Sequence, residues 1–273
     1  MAIPLEDNFA DIIGKAQRGL GISDSRLAEK SGISAERIRK LRDGAFDEEA
    51  AMRIAPALRL DGAALCKLGS GKWNPETIGE IDGLAQFNTN YGDMTVNAYL
   101  VWDPTGREAA AFDTGANCGG MLERIAKEKL DVKLILLTHA HPDHVADLRR
   151  LKKETGAPVF ISDREPEEGA ESIVEGKRFR AGSLEIEARW TWGHSPGGMT
   201  YVVTGLSRLA AVVGDSLFAG SMGGGNVSYE EAVRNNREKI LTLPDETVVC
   251  PGHGPLTTVG KEKRDNPFFA MHW

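Results

Sequence analysis

Cysteine is scarce in this chain, and the few cysteines are poorly spaced for covalent or metal chemistry. Cys66, Cys118 and Cys250 are odd in number and far apart, so they form neither a disulfide framework nor a Cys-x-x-Cys pair. That usage fits a reducing, cytoplasmic setting, with Cys250 expected as a buried apolar thiol. No apolar run reaches the roughly 18 residues that a membrane-spanning helix needs, so no membrane partner is expected. The opening residues Met-Ala-Ile-Pro-Leu-Glu-Asp lack the basic-then-apolar layout of a secretion signal. Excess positive charge is missing too. Lys and Arg number 33 against 40 Asp and Glu, a net charge of −7, which argues against attraction of the whole chain to nucleic acid or lipid. There are no repeats or low-complexity tracts. The composition, 41% apolar and 27% charged over 273 residues, is that of an ordinary globular protein with room for one large or two smaller domains.

The pattern changes near residue 72, where Ser70-Gly71-Lys72-Trp73-Asn74-Pro75 reads as a linker. Residues 1–72 are expected to be all-helical. Apolar residues recur at helical spacing through Phe9, Ile12, Ile13 and Ala16. Ser23-Asp24-Ser25 can cap a helix that Gly32 ends, and Ser34 can cap the next, Ala35 to Arg42, which Gly44 closes. Further helices are expected over Glu48 to Leu58 and after Asp61-Gly62. Two short helices about a Gly-containing turn make a helix-turn-helix unit. From Asp11 to Leu68 the segment resembles the Cro and phage-repressor type of helix-turn-helix domain, most specifically at Arg26-Leu-Ala-Glu-Lys-Ser-Gly-Ile-Ser34. The resemblance implies DNA contact through residues 23–44, with Arg37, Arg39, Lys40 and Arg42 toward phosphate or base. Against it, residues 1–70 hold eleven basic and eleven acidic residues, including Asp47-Glu48-Glu49, so no basic face stands out and a protein-interaction module is the alternative.

Residues 73–273 alternate strands and helices. Strands are expected at Thr95–Trp102 and Glu108–Phe112 about the turn Asp103-Pro104-Thr105-Gly106, then at 133–137, 158–161, 184–192, 199–203, 209–213 and 247–250. Helices are expected over 120–129, 147–154 and 228–241. Strands enough for two sheets, with helices between, suit a layered α/β sandwich.

The most informative stretch is Thr138-His139-Ala140-His141-Pro142-Asp143-His144, directly after the apolar run Val132 to Leu137. His and Asp are the ligand types that borderline divalent metals prefer, and a strand's end is where α/β proteins place chemistry. Two more histidines, His194 and His253, sit in Gly/Pro-rich turns, and Asp215 follows the strand Val-Val-Gly. Only His272 has no such context. His139, His141, Asp143, His144, His194, Asp215 and His253 make seven ligands, the number two metal ions require. Asp113, at another strand's end, is a candidate to orient a ligand imidazole or simply to cap a turn.

With these seven, residues 80–270 resemble the metallo-β-lactamase superfamily and its His-x-His-x-Asp-His motif followed by a later His, Asp and His. The resemblance implies an αββα sandwich preceded by the helical segment. One metal would take His139, His141 and His194, the other Asp143, His144 and His253, with Asp215 bridging. The stretches Gly214-Asp-Ser-Leu-Phe-Ala-Gly-Ser221 and Pro251 to Phe269 are similar to the glyoxalase II-like branch. That implies a cytoplasmic hydrolase of a small thioester or ester. A metal-bound hydroxide would attack the carbonyl, and Asp143 and Asp215 would take part in catalysis. Two zinc ions are the expected cofactors, with iron or a mixed iron–zinc pair as alternatives; a small-molecule substrate and a second copy of the chain are the expected partners. Met222-Gly-Gly-Gly-Asn-Val-Ser-Tyr229 departs from the branch, because the arginine that glutathione-specific members carry there is absent and the glycines predict a flexible wall. Three alternatives stand beside the hydrolase: a mononuclear iron persulfide dioxygenase using His139, His194 and Asp215, a DNA-binding regulator with a metal-containing sensor domain, and a nuclease of the same fold. The nuclease is disfavoured by 22 basic against 29 acidic residues after position 70. Deleting residues 1–70 should leave a folded, metal-loaded domain, unless the helical segment covers the pocket or builds the oligomer.

Overall fold

The structure, a computed structural model, describes residues 3–270; His272 lies outside them. The helical segment comprises α1 (Phe9–Gly19), α2 (Asp24–Ser31), α3 (Ala35–Arg42), α4 (Glu48–Ile54) and α5 (Gly62–Gly69), with a 3-10 turn at Pro56–Leu58. Its ends obey the capping pattern legible in the sequence. Ser23 and Ser34 accept from the backbone N–H of Arg26 and Arg37, and Gly32 ends α2 in the left-handed conformation at φ 68°. Among the described residues no helix is long and apolar enough to cross a membrane.

The first sheet is built from β1 (Leu84–Tyr91), β2 (Met94–Trp102), β3 (Glu108–Phe112), β4 (Asp131–Leu136), β5 (Val159–Ser162) and β6 (Glu171–Ile173), paired in that order. Helices α6 (Gly119–Glu128), α7 (Pro142–Val145) and α8 (Leu148–Thr155) lie between its strands. The second sheet runs β12-β11-β10-β9-β8-β7, from β7 (Arg178–Ala181), β8 (Leu184–Trp190), β9 (Met199–Thr204), β10 (Ala210–Gly214), β11 (Val248–Pro251) and β12 (Thr257–Thr258). Between β10 and β11 comes α9 (Tyr229–Asn235), which widens into a π turn at Asn236–Ile240, and α10 (Val259–Asp265) follows β12. Strand β1 escapes a reading based on apolar runs, because Gln86, Asn88 and Asn90 alternate with apolar or small residues on an edge strand that is mostly half-buried.

The side-chain period of two sorts each sheet onto two faces. Tyr99, Val101, Phe112 and Leu136 meet Ile186, Tyr201, Val212 and Cys250 between the sheets. On the far side of the first sheet, Leu100, Ile135 and Leu137 pack under Met121, Leu148 and Leu151 of α6 and α8. On the far side of the second, Val202, Ala211, Val213 and Val249 share one apolar cluster with Leu217, Met222, Ala232, Phe268 and Phe269. The layers are therefore helix, sheet, sheet, helix.

That last cluster also contains Ile12, Ile13, Leu27, Ile38, Leu41, Ile54, Leu58 and Leu65 of the helical segment. The segment thus packs into the fourth layer and is not merely tethered beside it. Trp73, in the stretch read as a linker, is itself packed against this cluster. Further contacts cross the boundary: the Asp61 N–H donates to the Pro267 carbonyl, and Lys67 pairs with Asp265.

Glu262 anchors this layer to the sandwich. Fully buried, it accepts from Thr257 Oγ1, the Gly220 N–H and Asn266 Nδ2. Burial outweighs those hydrogen bonds and pushes its pKa up to about 7 from 4.5.

A chain restricted to residues 73–273 loses the helical segment's share of the cluster that holds Leu217, Met222, Phe268 and Phe269. At about 1.5–3 kcal/mol for each large apolar side chain, the loss rivals a whole domain's stability of roughly 5–15 kcal/mol. Such a fragment should be insoluble or molten by near-UV circular dichroism; a soluble fragment with a sharp unfolding transition contradicts the shared core. For Glu262, the folded chain holds a proton between about pH 4.5 and 7 that the unfolded chain has lost, so stability falls as pH rises through that window. Glu262→Gln should remove this component, about 3 kcal/mol, and be relatively more stable at pH 8 than at pH 5 in paired denaturant melts.

Candidate metal centre

The strand ends place the site. The pairs β3–β4 and β10–β11 are parallel, so within each sheet two C-terminal ends emerge side by side. Asp113 follows β3; Thr138, His139 and His141 follow β4; Asp143 and His144 lie in α7; Asp215 follows β10; and His253 follows β11. His194 comes from the turn between β8 and β9. All seven residues selected from the sequence converge there, although more than one hundred positions separate the first from the last.

They converge as two groups. His139 Nε2 and His194 Nε2 lie 3.0 and 3.1 Å from His141 Nδ1, and His194 Nε2 is 3.3 Å from Asp215 Oδ2. In the second group, Asp143 Oδ2 is 3.4 Å from both His144 Nε2 and His253 Nε2. Asp215 reaches this group as well, with Oδ1 3.3 Å from His144 Nε2 and Oδ2 3.3 Å from His253 Nε2. His139, Asp143, His144, Asp215 and His253 are buried; His141 and His194 are half-buried and mark the open side.

The outward ring nitrogens set the tautomers. His144 Nδ1 lies 2.8 Å from Asp113 Oδ2, His194 Nδ1 3.0 Å from the Gly224 carbonyl and His253 Nδ1 2.6 Å from the Thr95 carbonyl. A carboxylate or carbonyl only accepts, so each Nδ1 carries a hydrogen and Nε2 is the nitrogen left to face the centre. Thr138 Oγ1 donates to Asp113 Oδ2, which leaves its oxygen to accept from His139 Nδ1. Asp113 thus fills both roles weighed for it: it takes the Thr138 N–H at the strand's end, and it orients His144.

Such a set fits divalent cations. His144 Nε2 and Asp215 Oδ1 are buried and face each other at 3.3 Å, with no other hydrogen-bond partner for either, an arrangement that a cation would satisfy. Burial holds His139 and His194 below the usual imidazole range, which favours the neutral ligand form. Burial works against charge on His144 and His253 too, but Asp215 outweighs it, placing His144 well above the usual range and His253 at about 9. Burial likewise opposes ionisation of Asp215, and His253 and His144 outweigh it, so the carboxyl sits well below the carboxylate range. In the absence of a metal ion, protons supply the positive charge that this carboxylate demands.

The glycine run after Asp215, expected as a flexible wall, passes close to the site at Gly223. A Cβ on Gly223 would lie 1.8 Å from the Asp215 carbonyl oxygen and 3.1 Å from His194 Nδ1. One on Gly252 would lie 2.1 Å from Asp215 Oδ1 and 2.7 Å from His144 Cε1. Both positions need glycine for close approach. Three features of the site left no signal in the sequence: the carbonyls of Thr95 and Gly224, which a side-chain reading cannot see, and Glu6, whose Oε2 lies 4.0 Å from His253 Nδ1.

Gly223→Ala, which alters no ligand, should therefore cost at least tenfold in kcat/KM and lower the metal content of purified protein. Wild-type metal content and activity in this variant would show that the wall yields.

The sequence model of the Metallo-beta-lactamase superfamily matches residues 91–253, leaving α1–α5 outside. Among curated proteins, the chain is 30% identical over 197 residues to hydroxyacylglutathione hydrolase GloC of Haemophilus influenzae, spanning 63% of this chain and 92% of that one. It is 32% identical over 204 residues to the probable metallo-hydrolase YqgX of Bacillus subtilis, spanning 65% and 93%. Among solved structures it is similar to TTHA1623 in a di-iron-bound form, with 30% identity and a TM-score of 0.57 over 67% of this chain and all of that one. With the αββα layers, the seven converging residues and this match over more than half its length, the chain belongs to the metallo-beta-lactamase superfamily.

Proposed function

We propose that this protein is a dinuclear metal-dependent hydrolase of a small thioester or related ester, of the hydroxyacylglutathione hydrolase kind. The observation that carries the reading is the position of Asp215, within 3.3 Å of nitrogens in both histidine groups. In this reading His139, His141 and His194 hold one ion, Asp143, His144 and His253 hold the other, and Asp215 spans them. Two divalent ions there would supply Lewis acidity at the substrate carbonyl and bring the pKa of water down to about 7. Asp143 would bind metal and orient the attacking water, while half-buried His141 and His194 leave the approach for substrate. Water is the nucleophile in this scheme, and no thiol competes with it. Cys66, Cys118 and Cys250 are all buried, and burial pushes the Cys118 thiol up to about 12. Zinc is the first expectation for this donor set; iron is the second, supported by the di-iron form of TTHA1623.

The mononuclear iron oxygenase shares the group His139, His194 and Asp215, so the reaction itself must discriminate. The regulator reading draws less support. Arg37 binds Asp47 and Glu49, Lys40 pairs with Glu36, and Arg42 pairs with Asp24, so three of the four cations expected to face DNA have carboxylates beside them that would repel phosphate.

The test is a panel of a hydroxyacylglutathione thioester, an uncharged acyl thioester, a lactone and glutathione persulfide, run on the purified full chain with thiol release and oxygen uptake followed together. The expected result is thiol release from a thioester without oxygen uptake, lost by at least a thousandfold in Asp215→Ala. Oxygen consumption on the persulfide, with no thioester cleavage, would overturn the hydrolase.

A further inference from the structure

We propose that Lys15 and Asp7, supplied by the helical segment, are positioning residues for the metal centre; the inference rests on the metal-centre reading above. Both lie outside residues 91–253, the part that matches the superfamily.

The backbone from Ser216 to Gly225 is the wall at issue. It leaves β10 directly after Asp215 and passes Gly223 against the Asp215 carbonyl, and its Gly224 carbonyl receives the Nδ1–H of His194. Beyond an isolated bridge between Phe218 and Ser221 it has no strand or helix of its own until α9, and three consecutive glycines give it the greatest conformational freedom a backbone can have. Side chains from elsewhere must hold it.

Two anchors come from the C-terminal layer: Glu262 takes the Gly220 N–H, and Asn266 Nδ2 donates to the Ser221 carbonyl. Two come from the helical segment. Lys15 Nζ donates to the Met222 carbonyl at 2.9 Å, and the Ser221 hydroxyl donates to Asp7 Oδ2 at 2.6 Å. Lys15 and Asp7 are joined to each other by a short ion pair, 15% and 7% exposed. They therefore act as one clamp on successive residues, immediately before Gly223 and Gly224.

The same ammonium reaches the second group. It stands 5.1 Å above the Phe218 ring, whose centroid lies 5.7 Å from the His253 ring in an edge contact. One cation on α1 thus steadies the acceptor that orients His194 and the ring that packs on His253. Loss of the clamp should loosen the His139, His141 and His194 group most, since His194 is oriented by the clamped loop itself.

The experiment uses the full chain, stripped of metal and titrated with cobalt(II). Lys15→Met should change the cobalt absorption spectrum and weaken retention of the ion in the His194 group at least tenfold in competition with a chelator. In turnover, kcat should fall with little change in KM, and Lys15→Arg should restore part of the effect. Ser221→Ala, which removes only one loop-side hydrogen bond, should shift the spectrum the same way and keeps the test open if Lys15→Met does not fold. Leu27→Ala, in the core of the helical segment, is the control: it should lower Tm and leave the cobalt spectrum unchanged. A Lys15→Met or Ser221→Ala protein with reduced Tm but wild-type cobalt spectrum and retention would overturn the proposal. Failure of the hydrolase reading looks different, as wild-type protein that takes up cobalt yet cleaves no ester; the spectrum still decides the clamp.

Discussion

The structure turns on one buried carboxylate. Asp215 is 8% exposed and lies among His144, His194 and His253, with one oxygen left without a hydrogen bond. A buried carboxylate is costly unless positive charge surrounds it. The chain meets that demand by gathering donors from both sheets and both parallel strand pairs onto one point. Much of the local architecture follows: Asp113 behind His144, the Thr95 carbonyl behind His253, the Gly224 carbonyl behind His194, and glycines at 223 and 252 where any side chain would strike Asp215.

The same demand explains the place of the helical segment. Donors on opposite sheets keep their spacing only if the sheets are held together, and the outer face of the second sheet must be covered for that. Helices α1–α5 contribute to that cover through a core continuous with Val202, Val213 and Phe269. At the edge nearest the site, the cover becomes contact with the wall itself, through Lys15 and Asp7.

How far this was legible in the sequence differed from element to element, for physical reasons. His139 to His144 stand within six positions after an apolar strand, and side chains of that kind seldom crowd together at a strand's end unless they bind metal. His194, Asp215 and His253 were legible because each ends a strand or sits in a Gly/Pro turn, where side chains project from the sheets. The caps at Ser23, Ser34 and Gly32 were legible because capping is local. The shared cluster was not legible for that same reason: Ile12, Ile13 and Leu27 repeat with one period whether a helix packs within its own unit or onto a neighbour. The glycine run suggested a flexible wall because composition records freedom, whereas close approach to Asp215 exists only after folding. Lys15 gave no signal at all, being one lysine on a helix whose acceptor lies more than two hundred residues away.

Whether these seven side chains hold two ions that share Asp215 can be read from anomalous scattering, recorded at the zinc and iron edges on crystals of the purified full chain. Two peaks are expected, one among His139, His141 and His194 and one among Asp143, His144 and His253, each with an Asp215 oxygen as a ligand. A single peak bound only by His139, His194 and Asp215 would refute the shared dinuclear centre.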